Sequence, residues 1–299
     1  MASTTTPSRP EFQITTFPPL PNHPHRYTLI FLHGRKDTVP NFLSSLSAWE
    51  SSSVPRKTIR TALPSAKLIF PQAPSRCSAG IPDKLNQWFD LYTPLDFSLK
   101  EELHLPGLQE SVSFLLKLIY REAKPLAGEG GDIAGGYKRI LLAGISMGGA
   151  VSLHTLFHLP HPIGGFLGFC CRLPFQTTAG HSLGAIRQVL WREGVEGGFT
   201  RPELTQAGFR TGNGEDNKVL KHTPILLEHC ADDPLVKIES GRQMRDTLKS
   251  FGAERVEWKE YATGGHWFKA GEGMDDLLDF LGRVGFAEDG NGDADIDML

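Results

Sequence analysis

Ile140-Leu141-Leu142-Ala143-Gly144-Ile145-Ser146-Met147-Gly148-Gly149-Ala150 is the stretch on which the fold turns. An apolar run of strand length ends in G-x-S-x-G, and a helix-like run over residues 150–159 follows. Strand, sharp turn and helix form the context in which the serine of this motif is a nucleophile. Gly144 and Gly148 have no Cβ, so strand and helix can pass close together while the serine holds a strained backbone angle. The next helix points its N-terminus at the serine, and its free N–H groups favour negative charge developing there. The alternative is a glycine-rich turn with an incidental serine, and the flanking strand and helix argue against it.

Outward from Ser146 the chain reads as strands alternating with helices. Strands are expected over residues 26–32, 67–70, 139–145, 163–171, 223–230 and 256–261. Helical spacing of apolar residues marks 105–123, 238–251 and 274–284. Short continuous apolar runs separated by helices imply an α/β fold, with a mostly parallel central sheet and helices on both faces. Residues 1–25 are expected to be a loose or extended N-terminal segment, and 26–284 the folded domain. Residues 285–299 form an acidic tail that resembles half a calcium loop but lacks its required Gly and Glu. Gly128 to Gly136 reads as a loop. The long polar insertion 174–222 contains a short helix expected at 185–191, close to the body. Its remainder, 192–222, is either a lid over the site or a surface excursion.

Bulk properties narrow the class. A 299-residue chain with 39% hydrophobic and 22% charged residues has room for a real core. A formal net charge of −3 gives no basic footprint for nucleic acid. No apolar run approaches the roughly 18–20 residues of a membrane span, so no integral membrane segment is expected. The first residues lack the apolar core of a secretory signal. Cys77, Cys170, Cys171 and Cys230 read as free thiols, and there is no Asn-x-Ser/Thr sequon. A cytoplasmic protein is expected.

A serine nucleophile needs a base to take its proton and a carboxylate to orient that base. Asp232 and Asp233 follow the apolar strand ending at Cys230. His266, in Thr263-Gly264-Gly265-His266, follows the last strand. Sites in such sheets lie outside the carboxyl ends of the strands, so both positions share an edge with Ser146. Spacing leaves Asp232 and Asp233 open as the acid. Among 11 histidines, the rival bases His154, His158 and His229 fall within a helix or strand and read as structural. One oxyanion donor is expected at the Met147 backbone N–H. The other is expected at the Arg35 backbone N–H, in the turn after the first strand. His33 reads as a residue that shapes this turn. Trp88 is a candidate pocket residue, with a core tryptophan as the alternative. No metal or organic cofactor is required.

His33-Gly34-x-x-Asp37-Thr38, Phe70-Pro71-Gln72-Ala73-Pro74, Trp88-Phe89-Asp90, Gly144-x-Ser146-x-Gly148-Gly149-Ala150, Asp233-Pro234-Leu235-Val236 and Gly265-His266 occur here in a fixed order. In that order they resemble the acyl-protein thioesterases, within the phospholipase/carboxylesterase family of α/β-hydrolases. The resemblance spans about residues 26–283. It implies an α/β-hydrolase fold and places the catalytic acid immediately before Pro-Leu-Val, selecting Asp233. The implied triad is Ser146, Asp233 and His266, with oxyanion donors at Arg35 and Met147. The implied reaction is hydrolysis of an acyl ester or thioester through an acyl-enzyme. The implied substrate is an acylated small molecule, a lipid or an S-acylated protein. The alternatives are a catalytically inactive binding protein of the same fold and an acyltransferase using the same triad. Three departures from the family touch substrate access: Arg35-Lys36 in place of Leu-Gly, Met147 in place of Gln, and the long 174–222 segment.

Overall fold

The structure, a computed structural model, describes residues 12–78, 81–177, 182–191, 209–210 and 216–286. Its strands are β1 (Ile14–Phe17), β2 (Tyr27–Leu32), β3 (Ala66–Pro71), β4 (Ser75–Ser78), β5 (Ile81–Asn86), β6 (Ile140–Ile145), β7 (Gly165–Phe169), β8 (Ile225–Cys230) and β9 (Val256–Tyr261). Seven form one sheet in the order β1-β3-β2-β6-β7-β8-β9, and β4 with β5 makes a separate hairpin. Only β1 runs antiparallel in the large sheet. This is the α/β-hydrolase architecture that the alternating pattern implies.

The sheet is buried on both faces because strands with consecutive apolar residues feed both. Alternate residues separate cleanly, as the two-residue period of a strand requires. Ile30, Leu32, Ile140 and Leu142 enter one core with Leu115 and Ile119 of α3 (Leu105–Leu126), and with Val151 and Leu153 of α5 (Met147–His158). Leu29, Phe31, Leu141 and Ala143 enter the other with Phe42 of α1 (Val39–Ser47). Leu277, Phe280 and Leu281 of the last helix, Glu272–Arg283, join that second core.

Three boundaries differ from the sequence reading. Within the segment expected to be loose, Ile14-Thr15-Thr16-Phe17 pairs with β3 from Ile14↔Pro71 to Phe17↔Leu68. Just before it, Phe12 stacks on Phe114 with ring centroids 4.3 Å apart. Two β-branched threonines and aromatic anchors suit an edge strand. At the other end the folded region continues to Phe286, whose ring meets Tyr27 at 5.1 Å and whose carbonyl accepts the Tyr27 hydroxyl at 3.2 Å. The rest of the expected acidic tail lies outside the described residues.

Within the expected glycine loop, Ile133–Tyr137 is helical, capped by the Asp132 side chain on the Ala134 N–H. A Cβ on Gly136 would lie 2.0 Å from the Ala123 carbonyl, so this glycine serves close helix packing. The short helix expected at 185–191 is Leu183–Val189, with Leu183, Ile186 and Val189 buried against the body. Of residues 192–222, where the lid expectation falls, 192–208 and 211–215 lie outside the described residues, while Phe209 is buried in the core and Lys218–His222 is a helix that buries Val219 and Leu220 there.

Candidate active site

Ser146 sits between β6 and α5 with φ 55° and ψ −123°. A non-glycine residue in that region is strained. What permits it is the tight crossing on either side. A Cβ on Gly144 would lie 2.5 Å from the Gly148 carbonyl carbon, and one on Gly148 would lie 2.5 Å from the His33 carbonyl oxygen. The Ser146 N–H is taken by the Phe169 carbonyl at 2.9 Å, so it is not available to an oxyanion. Met147 opens α5, at a position where a backbone N–H has no acceptor within its helix.

The turn after β2 is braced from behind. His33 is fully buried. Its Nε2 accepts the Ala73 N–H at 3.0 Å, and its Nδ1 donates to the Gly34 carbonyl at 2.7 Å. This pairing assigns the proton to Nδ1. Burial pushes the imidazole below its ordinary pKa, so it stays neutral. Because the Gly34–Arg35 peptide is planar and trans, a carbonyl drawn towards His33 aims the Arg35 N–H the opposite way. Gly34 itself abuts Ser146, with its ideal Cβ position 3.5 Å from the serine Cβ. The Arg35 guanidinium is held by the hairpin region, donating to Gln87 Oε1 at 2.8 Å and Ser78 Oγ at 3.1 Å.

The acid and base come from the ends of β8 and β9. His266 Nδ1 donates to Asp233 Oδ2 at 2.7 Å. Asp233 Oδ1 accepts the N–H groups of Leu235 at 2.8 Å and Val236 at 2.9 Å. Burial alone would raise the Asp233 carboxyl. Hydrogen bonds from His229 and His266, together with the Val236 N–H, outweigh it and hold the group well below the usual carboxylate range. Asp232 does something different: it accepts the N–H groups of Gly264 at 3.2 Å and Gly265 at 2.7 Å, fixing the loop that carries His266. His229 is buried and donates to the Val236 carbonyl at 2.7 Å. His154 and His158 are buried in α5 and bonded to the Pro174 and His154 carbonyls respectively.

These elements surround a cavity of ≈ 390 Å³ lined by Gly34, Arg35, Ser146, Met147 and His266 among others. Trp88 is not part of that wall. It is fully buried, and its Nε1 donates to the His33 carbonyl at 2.9 Å. The expectation of a pocket tryptophan is therefore corrected, since its neighbour Phe89 lines the cavity while Trp88 braces the turn that carries Arg35. Sequence reasoning also missed Leu91, Phe97 and Arg172 in the wall. Arg172 carried a signal, a cation closing the apolar run after β7.

Cys170 Sγ, Asp233 and His266 offer ligand atoms within 4.8 Å of one another. Their chemistry favours proton handling over metal binding. The Asp233 and His266 atoms already bond each other, and a hydrogen bond with Cys230, then burial, pushes the Cys170 thiol up and keeps it protonated.

The fold and this cleft define an α/β-hydrolase with a serine at the strained turn from strand to helix. The profile of the phospholipase/carboxylesterase family matches residues 19–189 and 210–284, so the chain belongs to that family and is a carboxylic ester hydrolase. It is 26% identical over 261 residues to an acyl-protein thioesterase 1 of Gibberella zeae, covering 86% of this chain and 90% of that one. It is 28% identical over 264 residues to the protein of that name in Mycosarcoma maydis, covering 86% and 90% respectively. Among solved structures, Arabidopsis thaliana SOBER1 superposes with a TM-score of 0.59 at 21% identity, over 87% of this chain and 99% of that chain. Zea mays acyl-protein thioesterase 2 does so at 0.58 and 22%, over 91% and 98%. The last two likenesses concern the fold.

Proposed function

We propose that Ser146, His266 and Asp233 form a catalytic triad that hydrolyses acyl esters or thioesters through an acyl-enzyme. The observation that carries this reading is the 2.7 Å bond from His266 Nδ1 to a buried Asp233, with His266 and the strained Ser146 in one cleft. With Nδ1 protonated, Nε2 is the free acceptor for the serine proton. Ser146 Oγ bonds to the carbonyl carbon as its proton passes to His266. The leaving alcohol or thiol takes that proton as its bond to carbon breaks. Water then attacks the acyl-enzyme, giving its proton to His266, and the released serine recovers it. The carbonyl oxygen, negative in both tetrahedral states, is met by the Arg35 and Met147 N–H groups.

The substrate class is an acylated small molecule, a lipid or an S-acylated protein, as the names of its relatives suggest. No described helix is long and apolar enough to cross a membrane. The free thiols of all four cysteines support a reducing compartment, the cytoplasm. The test is labelling by a fluorophosphonate probe of the wild type beside Ser146→Ala. Labelling confined to the wild type is expected, and labelling of both or neither sinks the nucleophile assignment. A panel of oxygen and sulfur esters with graded acyl chains separates esterase from thioesterase.

A further inference from the structure

Arg172 is a cation set into the wall of the Ser146 cleft. It follows β7 and shares the cavity with Phe89, Leu91, Phe97, Met147 and Ala150, all apolar. Its side chain is only 13% exposed. The guanidinium lies over the Phe97 ring, 4.2 Å from the centroid. Its Nη1 is 3.6 Å from Glu101 Oε1, which also accepts the Phe175 N–H at 2.7 Å. A separation of 3.6 Å is too long for a good hydrogen bond. Glu101 therefore offsets charge and fixes orientation through a long contact to Nη1, which engages only part of the fork of five N–H donors. Among the described residues, Phe97 and Glu101 are the two close partners of the Arg172 guanidinium.

Two features oppose a purely packing role. Burial drives the guanidinium down to about 10, which reports a cation held out of water. The nearby imidazoles His104 and His154 are both buried and pushed down to about 3, so they add no competing positive charge at neutral pH. What remains is an oriented, planar, poorly hydrated cation with apolar neighbours, in a cavity that Arg35, Lys36 and Asp37 also line. A planar fork of donors matches a carboxylate in two parallel bonds.

We propose that Arg172 determines specificity by receiving the terminal carboxylate of an acyl group bound in the Ser146 cleft. The favoured substrates are then half-esters or half-thioesters of dicarboxylic acids. This deepens, and rests on, the serine-hydrolase reading above. An arginine fork that stays desolvated in both states would reject a neutral isostere, because its donors would be left without a partner.

The experiment compares p-nitrophenyl hydrogen glutarate with the neutral p-nitrophenyl valerate, reading the ratio of their kcat/KM. The wild type is expected to favour the charged ester by about 10–100-fold. Arg172→Gln should invert the ratio and Arg172→Lys should restore part of it. Glu101→Gln, which removes the counter-charge, should raise it. A wild-type ratio at or below one, or a ratio unmoved by Arg172→Gln, overturns the proposal while leaving the hydrolase reading intact. If neither ester turns over and the fluorophosphonate does not label, it is the hydrolase reading that fails. Calorimetry of monomethyl glutarate on Ser146→Ala then decides Arg172 without any chemistry. Binding that is lost when Arg172→Gln is added supports the role, and no binding to the Arg172-intact protein overturns it.

Discussion

Two adjacent carboxylates divide one task between them. Asp233 holds the imidazole, and Asp232 holds the backbone that presents it. Asp233→Asn keeps an acceptor oxygen but no charge to stabilise an imidazolium, and its amide can impose the wrong tautomer on His266. A fall in kcat of about 10³–10⁴-fold, with KM little changed, is expected. Asp232→Asn retains one acceptor oxygen, enough for the shorter bond from Gly265 but not for that from Gly264 as well, and it leaves the Asp233–His266 pair in place, so its loss should stay within about tenfold. Steady-state kinetics on a p-nitrophenyl ester would expose the opposite ranking at once, and with it a wrong choice of acid. Trp88 acts one layer further back. Trp88→Phe deletes the donor to the His33 carbonyl and leaves that buried acceptor without a partner, at a cost of about 1–3 kcal/mol. Because that carbonyl is linked to the turn carrying Arg35, kcat should fall along with the thermal midpoint. A loss of stability at full kcat would show that the brace does not reach the oxyanion donor.

At the scale of elements, the elbow depends on how closely β6, α5 and the end of β2 cross. Gly148→Ala places a methyl 2.5 Å from the His33 carbonyl and 2.6 Å from the Leu32 carbonyl, both backbone atoms that cannot rotate away. Overpacking of this kind costs about 1–3 kcal/mol or more, and here it also displaces Ser146. We expect a lower thermal midpoint together with weakened fluorophosphonate labelling, and a variant indistinguishable from wild type in both would argue against the close crossing. This region was legible in sequence because its physics is local. Apolar runs declare buried strands, the G-x-S-x-G spacing declares the turn, and Asp233 and His266 fall just past strand ends. The missed elements share the opposite property. β1 is four residues at an edge, and only its pairing with β3 distinguishes it from a loose segment. The β4–β5 hairpin is polar, yet it anchors the Arg35 side chain through Ser78, and its final residue Asn86 accepts the Lys36 N–H at 2.8 Å. Of the neighbours Trp88 and Phe89, sequence marked the one that faces the core. Arg172 acquires meaning only from Phe97 and Glu101, some seventy residues earlier in the chain.

At the scale of the whole molecule, the sheet order gathers the site. Chain connections run outward in opposite directions from the β2–β6 junction, leaving a crevice at the carboxyl ends. Arg35, Ser146, Arg172, Asp233 and His266 each follow a different strand and meet there. The same architecture fully buries His104, His154 and His158, and this gives stability a distinctive dependence on pH. Burial pushes His104 and His154 down to about 3 and His158 to about 4, against about 6.5 in an unfolded chain. Between about 4 and 6.5 the unfolded chain therefore binds protons that the native state refuses. Stability is fully present above that window and falls as pH drops through it, by up to about 1.4 kcal/mol per pH unit for each histidine. Glu228 opposes them. Burial first, then the charge of Asp276, raises its carboxyl well above the ordinary value, so above about 4.5 the folded state keeps a proton that the unfolded chain releases. His33, likewise lowered by burial, acts on the same side as those three, and four buried histidines against one carboxyl leave a net loss on acidification. The thermal midpoint should decline steadily from pH 7 to pH 5, and Glu228→Gln, which removes the opposing group, should steepen that decline while raising the midpoint at pH 8. A midpoint flat from pH 7 to pH 5 in both proteins would mean that these histidines take up protons in the folded state, and that the core beneath the cleft is wetter than its packing implies.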